Sequence, residues 1–197
     1  MNLDTNNMEA IVAMLMKELK KVENKEEACS CCEAKNGVFH SMDEAIAAAK
    51  KAQATLFASR LELRERIVNS IRETLKDYTL ELAELGVSET GMGRVADKKL
   101  KHEVTIAKTP GVEDLKAFAY SGDDGLTVME LSPYGVIGAI TPSTNPSETI
   151  ICNSIGMIAA GNSIVFAPHP GAKRTSIRTV ELINEAVRKA GGPENLV

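Results

Sequence analysis

The sequence is poor in aromatic residues, which make up 4% of its 197 residues, and it contains no tryptophan. Its formal net charge is -4, and no segment interleaves clustered Lys and Arg with aromatic side chains. Nucleic-acid-binding surfaces depend on such basic clusters. The composition therefore argues against a nucleic-acid partner.

Long apolar segments are also missing. No run approaches the length that spans a bilayer, and Asp4 and Glu9 are not typical of a secretory signal. Hydrophobic residues make up 44% and charged residues 25% of the sequence, as in ordinary globular proteins. We therefore expect a cytoplasmic protein that does not use a membrane as its partner.

Cysteine is scarce, and its placement is unusual. Of the four cysteines, three crowd together as Cys29, Cys31 and Cys32. No second cysteine pair or nearby histidine pair accompanies them, so neither a spaced disulfide framework nor a closed metal site is predicted. We expect no metal, and we interpret the cluster as thiols of a linker, with redox sensitivity as the alternative.

The N-terminal segment is predicted to be separate from the body of the protein. Residues 1–22 have the spacing of a short amphipathic helix, with apolar positions at Met8, Ile11, Val12, Leu15, Met16 and Leu19. Residues 23–37 show no clear periodicity and are predicted to be a linker. The body then comprises residues 38–197.

The first half of the body is predicted to be almost wholly helical. Ser41 and Glu44 have the spacing of a capping box, which would open a helix that ends near residue 55. Apolar spacing predicts further helices from about residue 60, over residues 80–85 and over about 95–108. Pro110 would stop the last of them.

Strands alternate with helices in the second half. Strands are predicted at residues 126–131, 136–140 and 163–167, with helices from Pro146 to Ala160 and over 176–190. This order predicts an α/β fold with a parallel sheet. Such a small parallel sheet would leave an open edge and an uncovered apolar surface, so we expect a truncated protein.

The loop at residues 141–146 is the best candidate site, because it follows a predicted buried strand and precedes a helix. It contains Asn145 directly before Pro146. Asn before Pro at a helix start is a common N-cap, so a structural role is one interpretation of Asn145. A polar group that faces a pocket is the other.

Several long motifs in the body are unusual. They lie at residues 87–94, 109–113, 122–127, 141–146, 159–163, 167–173 and 191–196. They resemble the coenzyme-A-acylating aldehyde dehydrogenases, most closely the branch of the ethanolamine- and propanediol-utilisation microcompartments and its clostridial relatives. The resemblance covers essentially everything from Val38 onward. It implies that residues 38–197 are the N-terminal part of an incomplete, Rossmann-like nucleotide-binding domain.

The resemblance implies a reaction in two halves. A cysteine attacks a short-chain aldehyde, hydride passes to NAD, and the resulting thioester passes to coenzyme A. The attack creates an oxyanion, which needs preorganised hydrogen-bond donors. Asn145 matches the family's side-chain donor. The nucleophilic cysteine, the general-base glutamate and the pyrophosphate loop are expected downstream, so the chain alone should be inactive.

The resemblance also suggests cofactor-binding residues. They are Thr141, Pro142 and Ser143 in the first loop, and Ala167, Pro168, His169 and Pro170 after the next strand. A lysine and a glutamate that hold the ribose in the wider superfamily are replaced here by Ala167 and Pro170. This departure fits a site that admits both NAD and coenzyme A. His169 is either a ligand-binding residue or a structural residue of its turn.

Cys152 is the alternative nucleophile within the chain. It lies in the predicted helix among Ile150, Ile151 and Ile155. A free cysteine in such surroundings is usually a small buried apolar residue, so we expect Cys152 to be buried and not catalytic.

The N-terminal helix suggests a second function. In the family, a tethered amphipathic helix is an encapsulation peptide, so residues 8–22 are expected to bind a microcompartment shell protein. A helix that packs on its own protein or oligomer is the alternative. The resemblance implies a homo-oligomer at full length and a location inside a bacterial microcompartment. A shortened, non-catalytic relative that only binds the shell or other subunits is the alternative to an enzyme.

Overall fold

The computed structural model describes residues 37–197, so the predicted targeting helix and nearly all of the predicted linker lie outside the described residues. The described chain begins with four helices: α1 Met42–Phe57, α2 Leu61–Lys76, α3 Thr79–Thr90 and α4 Val95–Lys108. Strands and helices follow: β1 Phe118–Gly122, β2 Gly125–Met129, β3 Val136–Thr141, α5 Pro146–Ala159, β4 Ser163–Pro168 and α6 Lys173–Lys189.

The helical first half confirms the prediction from apolar spacing, and α4 has the predicted bounds. Helix α3 runs further than predicted, through Gly86 to Thr90. Gly86 is buried, and a Cβ there would only touch Lys98 and Thr175 at 3.8 Å. The helix ends instead at Gly91, whose φ of 66° is left-handed and whose N–H donates to the carbonyl of Val87.

The predicted capping box of α1 is wrong. Ser41 occupies the N-cap position with extended backbone, but its side chain makes no capping hydrogen bond. Its carbonyl accepts from the N–H of Ala45 at 3.1 Å, as in any helix start. Asp43 and Glu44 lie in the first turn, where their negative charge favours the helix N-terminus without a box.

The parallel sheet has the predicted α/β order. Strands β3 and β4 pair in parallel from Val136 opposite Ser163 to Thr141 opposite Pro168, and α5 connects them. The N–H of Ile164 donates to the carbonyl of Leu196 at 3.1 Å, so the last residues run beside β4. Ile140 of β3 is 87% exposed, in agreement with the expected uncovered apolar surface.

The other two strands form a separate antiparallel hairpin, from Phe118 opposite Met129 to Gly122 opposite Gly125. The sequence indicated β2 but not β1. All ten hairpin positions are exposed, so no alternation of buried and exposed residues marks β1.

The core lies where α2, α5 and α6 contact one another. Fully buried side chains come from all three helices: Ile67, Ile71, Leu75, Ile151, Ile155, Ile158, Leu182, Ile183 and Val187. This packing fixes α5, and with it the loop at residues 141–146. Within residues 37–197, no helix is long and apolar enough to cross a membrane.

Candidate functional site

Two loops meet at the carboxyl ends of the parallel strands. We call residues 141–146 the first loop and residues 167–170 the second loop. Thr141 lies opposite Pro168 in the register, and the N–H of His169 donates to the carbonyl of Thr141 at 3.1 Å. The structure thus brings together the two segments for which the sequence predicted site residues. Ligands of open α/β sheets bind at this edge.

The side chain of Asn145 does not cap its own helix. Asn145 is the N-cap residue of α5, but only its carbonyl takes part in the helix start, accepting from Thr149. Its Oδ1 accepts a hydrogen bond from Nζ of Lys101 at 3.2 Å. Among residues 37–197, its Nδ2 has no hydrogen-bond partner. The capping interpretation is therefore wrong for the side chain, and the oxyanion role remains a prediction.

Asn145 lines an open cleft of about 560 Å³ between α4 and α5. We call it the Asn145 cleft. Its walls are Leu100, Lys101, Val104, Thr105, Asn145, Glu148, Thr149, Cys152 and Asn153. Leu100 and Val104 are 59% and 60% exposed, so one wall is apolar and open. A small apolar molecule with one polar oxygen would suit this combination.

Cys152 is exposed and lines the same cleft, so the prediction that it is buried is wrong. The apolar sequence neighbours of Cys152 are a poor guide to its burial, because successive residues of a helix point in different directions. The inward face of α5 carries Ile151, Ile155 and Ile158. Cys152 lies to one side of that face, four residues after Glu148, and both residues line the cleft.

A buried ion pair lies beneath the first loop. Lys98 of α4 is 3% exposed, and its Nζ donates to the carbonyl of Thr144 at 2.9 Å. The same Nζ lies 3.6 Å from Oε1 of Glu148, which is 7% exposed. Burying these groups costs free energy unless they are paired, and each is the other's charged partner.

His102 extends this buried cluster by one helical turn. Its Nδ1 lies 3.2 Å from the carbonyl oxygen of Thr79, and its Nε2 lies 2.6 Å from Oγ of Ser147. A carbonyl only accepts, so Nδ1 carries the proton. The Ser147 hydroxyl has two acceptors in reach, Nε2 and, at 3.2 Å, Oε2 of Glu148. The shorter contact favours donation to Nε2.

Burial is the main reason that the pKa of His102 lies below its usual value. The charge of Glu148 and the Thr79 carbonyl act in the opposite direction, while Lys98 adds to the lowering. The neutral imidazole suits the local charge balance, because Lys98 and Glu148 already compensate each other.

The sequence prediction missed Lys98 and His102. The available signal was their spacing: Lys98, His102 and Ile106 recur every four residues, and all three are buried on one face of α4. A lysine in such a stripe is usually counted as exposed. Only the contacts with Thr144 and Glu148 reveal that this one faces inward.

The second loop uses its polar side chain in its own turn. Nδ1 of His169 accepts from the N–H of Gly171 at 3.1 Å, at the start of a short 3₁₀ helix, Pro170–Ala172. His169 and Pro170 are exposed, and Ala167 and Pro168 are half-buried. The contact supports the structural interpretation of His169.

Glu89 of α3 occupies the N-terminus of α6. Its carboxylate accepts from the N–H groups of Arg174 and Thr175, both at 2.7 Å, and from Oγ1 of Thr175 at 2.6 Å. Free N–H groups at a helix start attract anions, so this carboxylate takes the place that a phosphate could otherwise fill. An expected pyrophosphate loop elsewhere is compatible with this arrangement.

A second cavity of about 230 Å³ adjoins the second loop and is lined in part by residues 37–42, β4 and α6. Phe166, Pro168, Ile177 and Val180 contribute apolar walls, and Lys173 contributes a cation. Apolar walls suit a flat base, and a single cation suits a phosphate. These residues fit one end of a dinucleotide. The charged lysine and glutamate that would hold its ribose are absent from this strand end.

The α/β fold, the two adjacent loops and Asn145 beside Pro146 together indicate which family the chain belongs to. The model of the aldehyde dehydrogenase family matches residues 16–197, and the chain belongs to this family.

Acylating enzymes are among the proteins that the chain is most similar to. The chain is 53% identical over 161 residues to the acetaldehyde dehydrogenase (acetylating) EutE of Salmonella typhimurium, covering 82% of this chain and 34% of that protein. The chain thus spans about a third of the length of such relatives. The predicted resemblance to acylating aldehyde dehydrogenases is confirmed.

Solved structures of similar enzymes share the fold. A propionaldehyde dehydrogenase from the fucose utilisation bacterial microcompartment of Clostridium phytofermentans is 54% identical, with a TM-score of 0.81 over 82% of this chain and 37% of that chain. A Rhodopseudomonas palustris propionaldehyde dehydrogenase with bound propionyl-CoA is 50% identical, with a TM-score of 0.81 over 83% of this chain and 36% of that chain. The predicted α/β fold class is confirmed.

Proposed function

We propose that this chain supplies the oxyanion donor and part of the nucleotide site of a coenzyme-A-acylating aldehyde dehydrogenase. The reaction converts a short-chain aldehyde, NAD and coenzyme A into an acyl-CoA, NADH and a proton. A cysteine outside these 197 residues attacks the carbonyl carbon, and the carbonyl oxygen takes the negative charge. Nδ2 of Asn145 donates a hydrogen bond to that oxygen.

The orientation of Asn145 carries this proposal. Lys101 can only donate, so its contact identifies Oδ1 as the acceptor end of the amide and leaves Nδ2 as the available donor. A neutral donor of this kind stabilises an oxyanion without bringing a charge that substrate binding would have to bury. Leu100 and Val104 supply an apolar wall beside it for the aldehyde's alkyl chain.

The nucleotide role is shared by both loops. We assign Thr141, Pro142 and Ser143 to the nicotinamide side, and Ala167, Pro168, His169 and Pro170 to the adenosine side, where His169 stabilises the turn through its contact with Gly171. Bound NAD would supply the hydride acceptor. The protein residues would exclude water and orient the ring, and the apolar cavity beside Pro168 supports binding of the adenosine end there.

The test requires an extended polypeptide, in which this chain is followed in frame by the catalytic region of such an enzyme. Coenzyme-A-dependent NADH formation is measured with acetaldehyde, propionaldehyde and butyraldehyde. Asn145→Ala should lower kcat about 10²–10³-fold, as expected for the loss of one oxyanion donor. Asn153→Ala is the matched control, because Asn153 lines the same cleft. Equal, small effects of the two substitutions would refute the assignment.

Residues 8–22 are proposed to bind a microcompartment shell protein. Support comes from the amphipathic spacing of that segment and from a similar enzyme that belongs to a microcompartment. Shell pulldown with and without residues 1–22 tests it, and unchanged co-sedimentation would rule out targeting. The non-catalytic alternative predicts shell binding by the 197-residue chain together with no aldehyde oxidation by the extended polypeptide.

Self-association is proposed from the exposed hairpin. Phe118, Tyr120, Leu126 and Val128 are 50–68% exposed, and an isolated two-stranded hairpin is marginally stable in water. A second copy that covers the hairpin would bury these side chains. Light scattering of the extended polypeptide tests the oligomer, and Leu126→Lys with Val128→Lys should shift it toward the monomer.

A further inference from the structure

Side chains of helix α4 contact the chain on both sides of Asn145. Lys98 binds the carbonyl of Thr144, one residue before it, and pairs with Glu148, three residues after it. His102 contacts Ser147, two residues after it. Thr144, Ser147 and Glu148, all within three residues of Asn145, are therefore in contact with two side chains of a helix more than forty positions earlier in the sequence.

Stability alone does not explain a buried ion pair at this position. A well-packed apolar pair of similar volume is often as stable as a buried salt bridge, or more stable. What the ion pair adds is a fixed position for the first loop relative to α5. Nζ of Lys98 reaches a backbone carbonyl and a carboxylate at once, and this fixes where the loop ends and where α5 begins.

The start of α5 shows why these contacts from α4 are needed. The first N–H groups of a helix usually receive the side chain of the N-cap residue. Asn145 does not provide that bond; its side chain contacts Lys101 and lines the cleft instead. Glu148 in the first turn places a negative charge near the helix start instead, and it is held there by Lys98.

We propose that Lys98, acting through Thr144 and Glu148, is a positioning residue that holds the amide of Asn145 in the cleft. Its catalytic consequence rests on the proposed role of Asn145 as the oxyanion donor. Its structural consequence does not, and it can be measured on the 197-residue chain itself.

The first test measures the order of the Asn145 side-chain amide by ¹⁵N relaxation. The variant is Lys98→Met with Glu148→Gln, which removes both buried charges. The control is Lys99→Met with Glu103→Gln, which removes an exposed Lys–Glu pair of 2.9 Å on the same helix. We expect the order parameter to fall below about 0.6 in the variant only. An unchanged value in the variant would overturn the proposal.

Folding of the variant is checked by urea unfolding. If the double variant does not fold, Lys98→Arg replaces it, since it keeps the charge but replaces a compact ammonium group by a planar one. The same loss of order is expected, because a guanidinium does not meet both partners with the lysine geometry. Retained order in a folded Lys98→Arg variant would equally overturn the proposal.

The second test is a double-mutant cycle on kcat in the extended polypeptide. Lys98→Arg should lower kcat about 10-fold with KM little changed, because a misplaced donor weakens the transition state more than substrate binding. In an Asn145→Ala background it should lower kcat no further. Losses that multiply would contradict positioning. If Asn145→Ala alone leaves kcat unchanged, the proposed function fails, and the relaxation result still decides the structural claim.

Discussion

The first and second loops follow adjacent parallel strands, yet they use their polar side chains in opposite ways. The second loop closes on itself, with His169 accepting from Gly171. The first loop is held by Lys98 of the distant helix α4, and the side chain of Asn145 lines a cleft. A loop that is stabilised by a distant helix can present a side chain that would otherwise cap its own helix.

The largest expected effect comes from removing the buried ion pair between Lys98 and Glu148. Lys98→Met leaves the carboxylate of Glu148 buried without its partner, which should cost about 3–5 kcal/mol of unfolding free energy. Adding Glu148→Gln should recover most of that loss. Urea unfolding measures both. Lys99→Met is the control and should cost less than about 1 kcal/mol, because its pair is exposed. Equal losses for Lys98→Met and Lys99→Met would contradict the account.

The contact between Glu89 and the N-terminus of α6, which follows the second loop, can be tested in the same way. Glu89→Gln weakens the charge-assisted hydrogen bonds to the N-terminus of α6 and should cost about 2 kcal/mol. Glu84→Gln on the same helix removes an exposed carboxylate and should change stability by less than about 0.5 kcal/mol. If Glu89→Gln were equally silent, the N-terminus of α6 would not depend on the charge of Glu89.

Acid should lower the free energy of unfolding through protonation of His102. Its pKa is lowered in the folded state, so below about pH 6.5 the unfolded chain binds the proton more readily. Stability should therefore fall as pH falls through that value, by at most about 1.4 kcal/mol per pH unit for one group. His102→Gln should remove this dependence, whereas His169→Gln should retain it. Identical pH profiles for the two variants would show that His102 is not the group responsible.

The smallest effect contrasts the two polar side chains directly. His169→Ala removes a hydrogen bond within its turn and should cost about 0.5–1 kcal/mol. Asn145→Ala removes an exposed contact with Lys101 and should change stability by less than about 0.5 kcal/mol. Thermal unfolding of both variants checks the ranking, and a larger loss for Asn145→Ala would favour a capping role after all.

Much of the fold could be predicted because it depends on local periodicity. Helix α4 and strand β4 followed from apolar spacing and from flanking Gly and Pro residues. Strand β1 was missed because it is only five residues long and has no buried face, so its sequence carries little signal. The end of α3 was misplaced because a buried Gly86 resembles a helix stop.

The site could be predicted only in part. The position of Asn145 between a strand and a helix is local and was found, but the direction of its side chain depends on α4. Cys152 was predicted to be buried because its sequence neighbours are apolar, although it lies beside the buried face of α5 and lines the cleft. Lys98 and His102 were missed because long-range partners decide whether a charged helical residue faces inward.

The central claim is that Asn145 serves chemistry and not the stability of its own helix. Its most direct test is kcat of Asn145→Ala in the extended polypeptide, measured beside the unfolding curve of the same variant. The account predicts a drop in kcat of about 10²–10³-fold with an unfolding curve that matches the wild type. An unchanged kcat, or a loss explained by lower stability, would contradict it.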